Sequence, residues 1–406
     1  MKSAILAATA AALFAQSAIA HGPGLLRYQV NEILPPSSVR AGCLPELAQA
    51  TLGASINDFG VVSANFSCYT QYDPNGPFPS STTHYSTFVG APWLGSFELP
   101  ASPGSTYTFS YQINNLGQVF GGDNSPTSLT GTRWSLSGGF ERVFDEPLCE
   151  GININGATSG NSRYVVGWGT RFAPEMGSPY DTLCLISYWL IRQPGGQVTL
   201  GPRNGSAYDI NAFDVAVGTS ENSAIRMHIP SGQTVVLHAG TDGVHGAIPN
   251  DINDLGLMAG YAYDYTSANC SRFSALRWDR QGNETPLPHL PGAVSSRASA
   301  IGYDGEVVGD SGPGDYCPYT FNQNERAALW LGSRVIDLNQ TIPASLRLTL
   351  VYASSINRRG QILATGYSAD DPVSQCPNII YHPDGEQEME MLPCRNMRVF
   401  VLTPRR

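Results

Sequence analysis

Internal repetition constrains this chain more than any other feature. The segments Ile56-Asn-Asp-Phe-Gly60, Ile113-Asn-Asn-Leu-Gly117, Ile252-Asn-Asp-Leu-Gly256 and Ile356-Asn-Arg-Arg-Gly360 are copies of one motif. Ile210-Asn-Ala-Phe-Asp214 and Ile301-Gly-Tyr-Asp-Gly305 are weaker copies, and Ser159–Gly167 keeps only a terminal Tyr-Val-Val-Gly. First residues fall at 56, 113, 159, 210, 252, 301 and 356. After each copy comes a short β-prone run ending in a small residue, as in Leu257–Gly260 and Glu306–Gly309. A second run then carries an aromatic: Trp93, Trp134, Trp189, Trp278, Trp330 and Tyr381, with Met227 in the fourth unit.

An N-x-x-G segment reads as a hairpin corner. Asn bonds its own backbone, Gly supplies a positive φ, and the preceding apolar residue plugs the core. Sustained helical periodicity is absent from the chain, whereas short alternating runs recur between Gly, Pro, Asn and Asp. A unit of three or four strands cannot bury its sheet alone, but several stacked around an axis can. The pattern therefore predicts an all-β fold, a seven-bladed β-propeller over residues 21–406. Six or eight blades, or an open β-repeat array, stay open as alternatives. The terminal runs Leu26–Val30 and Met397–Val401 are expected to complete one blade between them and so remove sheet edges.

The order I-N-x-x-G, a β run ending in Gly, then A-x-x-W and a Gly turn resembles the HAF-type extracellular repeat proteins of bacteria. Ala275-Leu276-Arg277-Trp278 and Ala327-Ala328-Leu329-Trp330 are the best copies of its second half. The resemblance covers roughly residues 50–385 and implies export and a repeat-built β fold. It brings no catalytic motif.

Residues 1–20 read as a secretory signal. Lys2 precedes a short apolar run from Ala4 to Phe14, and Ala18-Ile19-Ala20 has the form that signal peptidase cuts, giving a periplasmic or secreted product beginning at His21. The run is shorter than the roughly 20 residues a bilayer requires, so no transmembrane segment is expected. Eight cysteines, an even number without a CxxC pair, suit such a compartment and argue for staples over zinc. Sequential pairing is favoured: Cys43–Cys68, Cys149–Cys184, Cys270–Cys317 and Cys376–Cys394.

With 23 basic against 33 acidic residues the chain carries a charge of −10, which disfavours nucleic acid as a partner. No cofactor or metal is expected. Gly309-Asp310-Ser311-Gly312-Pro313 imitates a serine-protease segment but falls where the repeat predicts a strand end. Asp251–Gly256 imitates a calcium loop, yet Leu255 and Ala262 stand where oxygen donors are required. An N-terminal His21 could chelate copper only with a further histidine, and no context marks one.

Asp123, Glu221, Asp264, Asp310 and Asp370 each follow closely on a β run. In rotationally related units these acids would share one loop rim and focus a negative field there. Tyr261, Tyr263 and Tyr265 alternate beside Asp264, so in a strand they share a face, and His245 lies in the loop before. The expected function is a binding or interaction module for glycan or protein ligands at that rim. A polysaccharide hydrolase or lyase using paired rim carboxylates is the alternative.

Overall fold

The computed structural model describes residues 26–44, 47, 49–73, 80–125, 128–145, 155–171, 186–238, 245–267, 270–314, 324–381 and 387–405. Among these, regular structure is antiparallel strand with a few short 3-10 turns. The first sequence unit gives Ala50–Ile56, Val62–Asp73, Ser80–Ala91 and Gly95–Glu98, paired in that order. The second gives Tyr107–Ile113, Gln118–Ser125, Ser128–Ser135 and Phe140–Phe144, and meets the first through one parallel pairing, Tyr85 opposite Tyr107. Four-stranded sheets follow over 155–203, 207–238, 245–286 and 295–337. The last sheet is Leu348–Ile356, Ile362–Ser368, Arg398–Pro404 and then Tyr28–Ile33. The first and last described strands thus share a sheet, with Tyr28 opposite Pro404.

The first strand of each unit is innermost. Each inner strand contacts the next, and Leu348–Ile356 returns to Ala50–Ile56, so the arrangement closes on itself in propeller-like fashion. The motif explains this closure at four levels. The Asn side chain first builds its own turn: Asn57 Oδ1 accepts from Phe59 N and Val61 N, at 3.1 and 3.0 Å. Gly60 completes the turn at φ 81°. The Asn amide then donates to a backbone carbonyl of the neighbouring unit: Asn57 to Asn114, Asn114 to Gly160, Asn161 to Asn211, Asn211 to Asn253 and Asn253 to Gly302. The residue before the motif Ile accepts from the next unit's Ile N–H: Ser159 from Ile210, Asp209 from Ile252, Asp251 from Ile301, and Ser355 from Ile56. Finally, the residue after Asn ties neighbouring turns, as where Asp58 N donates to Asn115 Oδ1 at 2.8 Å.

Between sheets the core is built on Trp134, Trp189, Trp278 and Trp330, all fully buried. Indole N–H groups clasp backbone carbonyls: Trp134 to Pro100, Trp189 to Thr219 and Trp330 to Pro288, at 2.7–2.8 Å. Two expected members of this set differ. Trp93 is 67 % exposed, because the register places Gly90 opposite Val62, where the second unit has Trp134 opposite Val119. Tyr381 lies in a hairpin of its own, Ser374–Tyr381 with Gln387–Cys394, while Leu402 faces Ile362 in the core sheet.

Two of the four expected disulfides are present, Cys43–Cys68 and Cys376–Cys394. Cys149, Cys184 and Cys317 and the side chain of Cys270 lie outside the described residues, as do residues 1–20 and His21. Among the described residues no helix is long and apolar enough to cross a membrane.

Candidate functional site in the axial cavity

Every inner strand carries a β-bulge just before the motif. The bulge requires a small residue opposite it. A Cβ on Gly121, Gly260 or Gly309 would lie 1.9 Å from the carbonyl oxygen of Phe109, Ile248 or Arg297. This accounts for the small residue closing the β run that directly follows the motif. The bulged residue, two before the motif Ile, is turned toward the axis. Those residues are Ala54, Tyr111, Thr158, Tyr208, Asn250, Ser299 and Ser354, and all of them line one cavity of about 730 Å3.

Beside Tyr111 and Tyr208 the wall continues with Trp168, which bonds Tyr111, and with Tyr261 and Tyr352. Burial holds all four phenols above their usual range, so their hydroxyls stay neutral and able to donate. Arg297 is the one cationic side chain among the described lining. It holds Asp310 through Nε and Nη2 at 3.2–3.3 Å and Glu325 through Nη2 at 3.1 Å. Its guanidinium also stands 5.5 Å from the ring centre of Phe273, which packs edge-on to Tyr261. Burial pulls the Arg297 pKa down, but Asp310 and Glu325 outweigh it and the net shift is upward. Burial raises Asp310 despite Arg297. Burial and then the Asp310 charge push Glu325 up to about 7, so Glu325 carries the proton of this pair.

Deeper along the axis stand Asp209 and Asp251. Asp209 accepts from Gln112 Nε2 at 2.8 Å, Ser159 Oγ at 2.7 Å and Ile252 N at 3.0 Å. Asp251 bonds Asp209, and burial followed by the Asp209 charge lifts its pKa well above the carboxylate range. A protonated Asp251 thus donates to Asp209. These two, with Ser55, Gln112 and Ser355, also border a second cavity of about 360 Å3 beneath the motif turns. The mouth of that second cavity is crossed by Arg358, which pairs with Asp58 and Asp254 and stacks 4.7 Å from the Tyr303 ring centre.

The five acids expected on a common rim do not meet. Asp123 is buried and accepts from Ser102 N at 2.8 Å, which straps a loop to its own strand. Glu221 sits exposed in a hairpin turn at φ 51°, 3.8 Å from Arg203. Asp370 is exposed and paired with Arg347 at 3.0 Å, and Asp264 is exposed on Met258–Ser267. Asp310 alone lines the cavity. Position after a β run does not fix orientation, because the runs end at different lengths. The tyrosines fare differently: Tyr261, Tyr263 and Tyr265 share one face and line a cleft of about 410 Å3 beside the axial cavity. His245 begins its strand opposite Asp264, and its side chain lies outside the described residues.

Ser311 of the protease-like segment is fully buried, its hydroxyl bonded to Ser295 O at 3.1 Å. The calcium-like segment is the repeat turn, with Asn253 Oδ1 accepting from Leu255 N and Leu257 N. Sequence reasoning missed the bulged positions and the carboxyls Asp209 and Asp251. The available signal was a side chain of varied type at a fixed offset before each motif.

No family model and no curated protein matches the chain. Among solved structures it is similar to the uncomplexed acylaminoacyl peptidase of Pyrococcus horikoshii, with TM-score 0.51 and 9 % identity over 86 % of this chain and 52 % of that one. The chain therefore spans about half the length of that peptidase. A streptogramin B lyase aligns with TM-score 0.45 and 11 % identity over 93 % of this chain and 98 % of the other. At 9 % identity the first likeness is one of fold alone.

Proposed function

We propose that the chain is an exported seven-bladed β-propeller, of the HAF-type repeat kind, that binds a glycan in its axial cavity. The blade count rests on dividing the first sheet at its single parallel pairing and counting the terminal strands as one blade. Export rests on the leader-like start and on disulfides, which persist in oxidising compartments. The observation that carries the ligand reading is the cavity wall. It combines phenol and indole faces for stacking with Arg297, Asp310 and Glu325 as fixed hydrogen-bonding groups. Sugar rings, with one apolar face and a rim of hydroxyls, match that mixture, and the volume lies in the range of ligand sites.

Binding is favoured over turnover by the state of the carboxyls. Hydrolysis of a glycosidic bond calls for two carboxyls at least about 5 Å apart, straddling the bond. Here Asp209 bonds Asp251, and Glu325 bonds Asp310 beside a shared arginine. A hydrolase or lyase reading keeps one favourable observation: Glu325, poised near 7, is suited to proton donation. A glycan array read for both retention and released product tests the two. Retention without product, weakened by Tyr352→Phe, is the expected result. Product that disappears in Glu325→Gln would replace binding with catalysis, and no retention of any glycan would end both readings.

A further inference from the structure

The axial cavity and the tyrosine cleft adjoin, with Tyr208 and Tyr261 lining both. The cleft runs between the 207–238 and 245–286 sheets, and its far wall is Tyr263, Phe273 and the half-exposed Tyr265. It lies at the end of Met258–Ser267 remote from the motif turn at Gly256, so the two openings are on opposite faces. Toward the motif face the passage is barred. Asp209 of the fourth unit bonds both Gln112 of the second and Asp251 of the fifth across the axis, and Arg358 bridges the mouth beyond them.

The route is therefore blind at one end and aromatic along its length. Such a shape accepts the terminus of a chain and excludes a strand threading through. Charge narrows the chemistry. The described lining holds four carboxyls, Asp209, Asp251, Asp310 and Glu325, of which Asp251 and Glu325 carry protons, and Arg297 already bonds Asp310 and Glu325. A uronate or sulfated sugar would find that arginine already engaged by carboxyls, whereas a hydroxyl or an ammonium group would meet acceptor oxygens. We propose that the protein holds a neutral or amine-bearing glycan by its end, with the terminal sugar in the axial cavity and the next sugars stacked along Tyr261, Tyr263 and Tyr265. This rests on the glycan reading above and adds the orientation and charge class of the chain.

Calorimetry and ligand-observed NMR on the full chain test it with cellotetraose, chitotetraose, deacetylated chitotetraose and tetragalacturonate, each alongside its monosaccharide. At least one of the first three is expected to bind, with tetragalacturonate tenfold weaker or more. Tyr265→Ala should weaken the tetramer about five- to tenfold and leave the monosaccharide unchanged, while Tyr111→Ala should weaken both. A tetramer capped at both ends by a bulky fluorophore should not bind. Tight binding of the doubly capped tetramer, a preference for tetragalacturonate, or a tetramer indifferent to Tyr265→Ala would each overturn the end-on arrangement while leaving glycan binding in place. Failure of every saccharide to bind the wild-type chain, or selective binding of a cationic peptide used as control, would overturn the glycan reading itself.

Discussion

Asn357 donates its side-chain amide to the carbonyl oxygen of Asn57 at 2.8 Å, joining the last repeat to the first across 300 positions of sequence. The same side chain accepts from Arg359 N and Gln361 N at 3.0 Å each. One residue therefore builds its own turn and closes the ring. Asn57 is met on its other side by the equivalent bond to Asn114, so the first unit is clasped from both directions.

Removing this group should loosen closure. Asn357→Ala strands two turn N–H groups and one buried carbonyl, for a loss of about 2–4 kcal/mol. Asn357→Asp keeps the acceptor and loses only the donor, so it should cost about half as much at neutral pH. Urea denaturation of both variants decides the matter, and an Asn357→Asp variant as stable as the wild type would mean that the bond between first and last units adds nothing beyond the turn.

The tryptophans separate by burial. Trp330 is fully enclosed and clasps Pro288 O, so Trp330→Ala should cost about 3–5 kcal/mol through cavity formation and the orphaned carbonyl. Trp93, in a turn and 67 % exposed, should change stability by no more than about 0.5 kcal/mol when replaced by Ala. Paired melting curves would contradict this packing if Trp93→Ala proved the more damaging.

The bulge makes a third demand. Gly309→Ala places a methyl 1.9 Å from Arg297 O, a backbone atom that cannot yield without flattening the inner strand. Stability should drop by about 3 kcal/mol or more, the tail reserved for overpacked and strained sites. Gly138→Ala meets no atom within 4 Å but forces Ala to φ 89°, so its smaller loss isolates the steric component at Gly309. Comparable losses would remove the clash from the account.

How much of this was readable beforehand follows from what repeats. Gly60, Gly117 and Gly256 recur at fixed offsets because a hairpin corner needs positive φ at that point, so the turns and hence the strands were legible. The aromatic position was legible where it is Trp, and misread at Trp93 and Tyr381, because register and an inserted hairpin depend on pairing partners distant in sequence. The cavity was hidden for a further reason. Ala54, Tyr111, Asn250 and Ser299 share a position but not a chemistry, and a repeat search discards positions that vary. The acids were sought on a rim since Asp, Glu and Asn are common in turns. Asp209 and Asp251 stand instead inside strands, where two backbone N–H groups, from Ile252 and Ile301, hold them.

That placement gives Asp251 a defined pH signature. Its folded-state pKa is raised above the unfolded value of about 3.9, so between those two values the native state holds one proton more than the unfolded state. Stability is then highest at low pH within this window and falls as pH climbs toward the folded pKa. Glu325 acts in the same direction from about 4.3 up to about 7. Asp251→Asn keeps a donor for Asp209 and an acceptor for Ile301 N while removing the titration. The variant should match the wild type near pH 4 and exceed its melting temperature by several degrees at pH 8, with the gap opening as pH rises. Thermal melts from pH 4 to 9 provide the measurement. A deficit in the variant that stays constant across that range would show that Asp251 is ionised in the folded protein, and that no proton is shared on the axis.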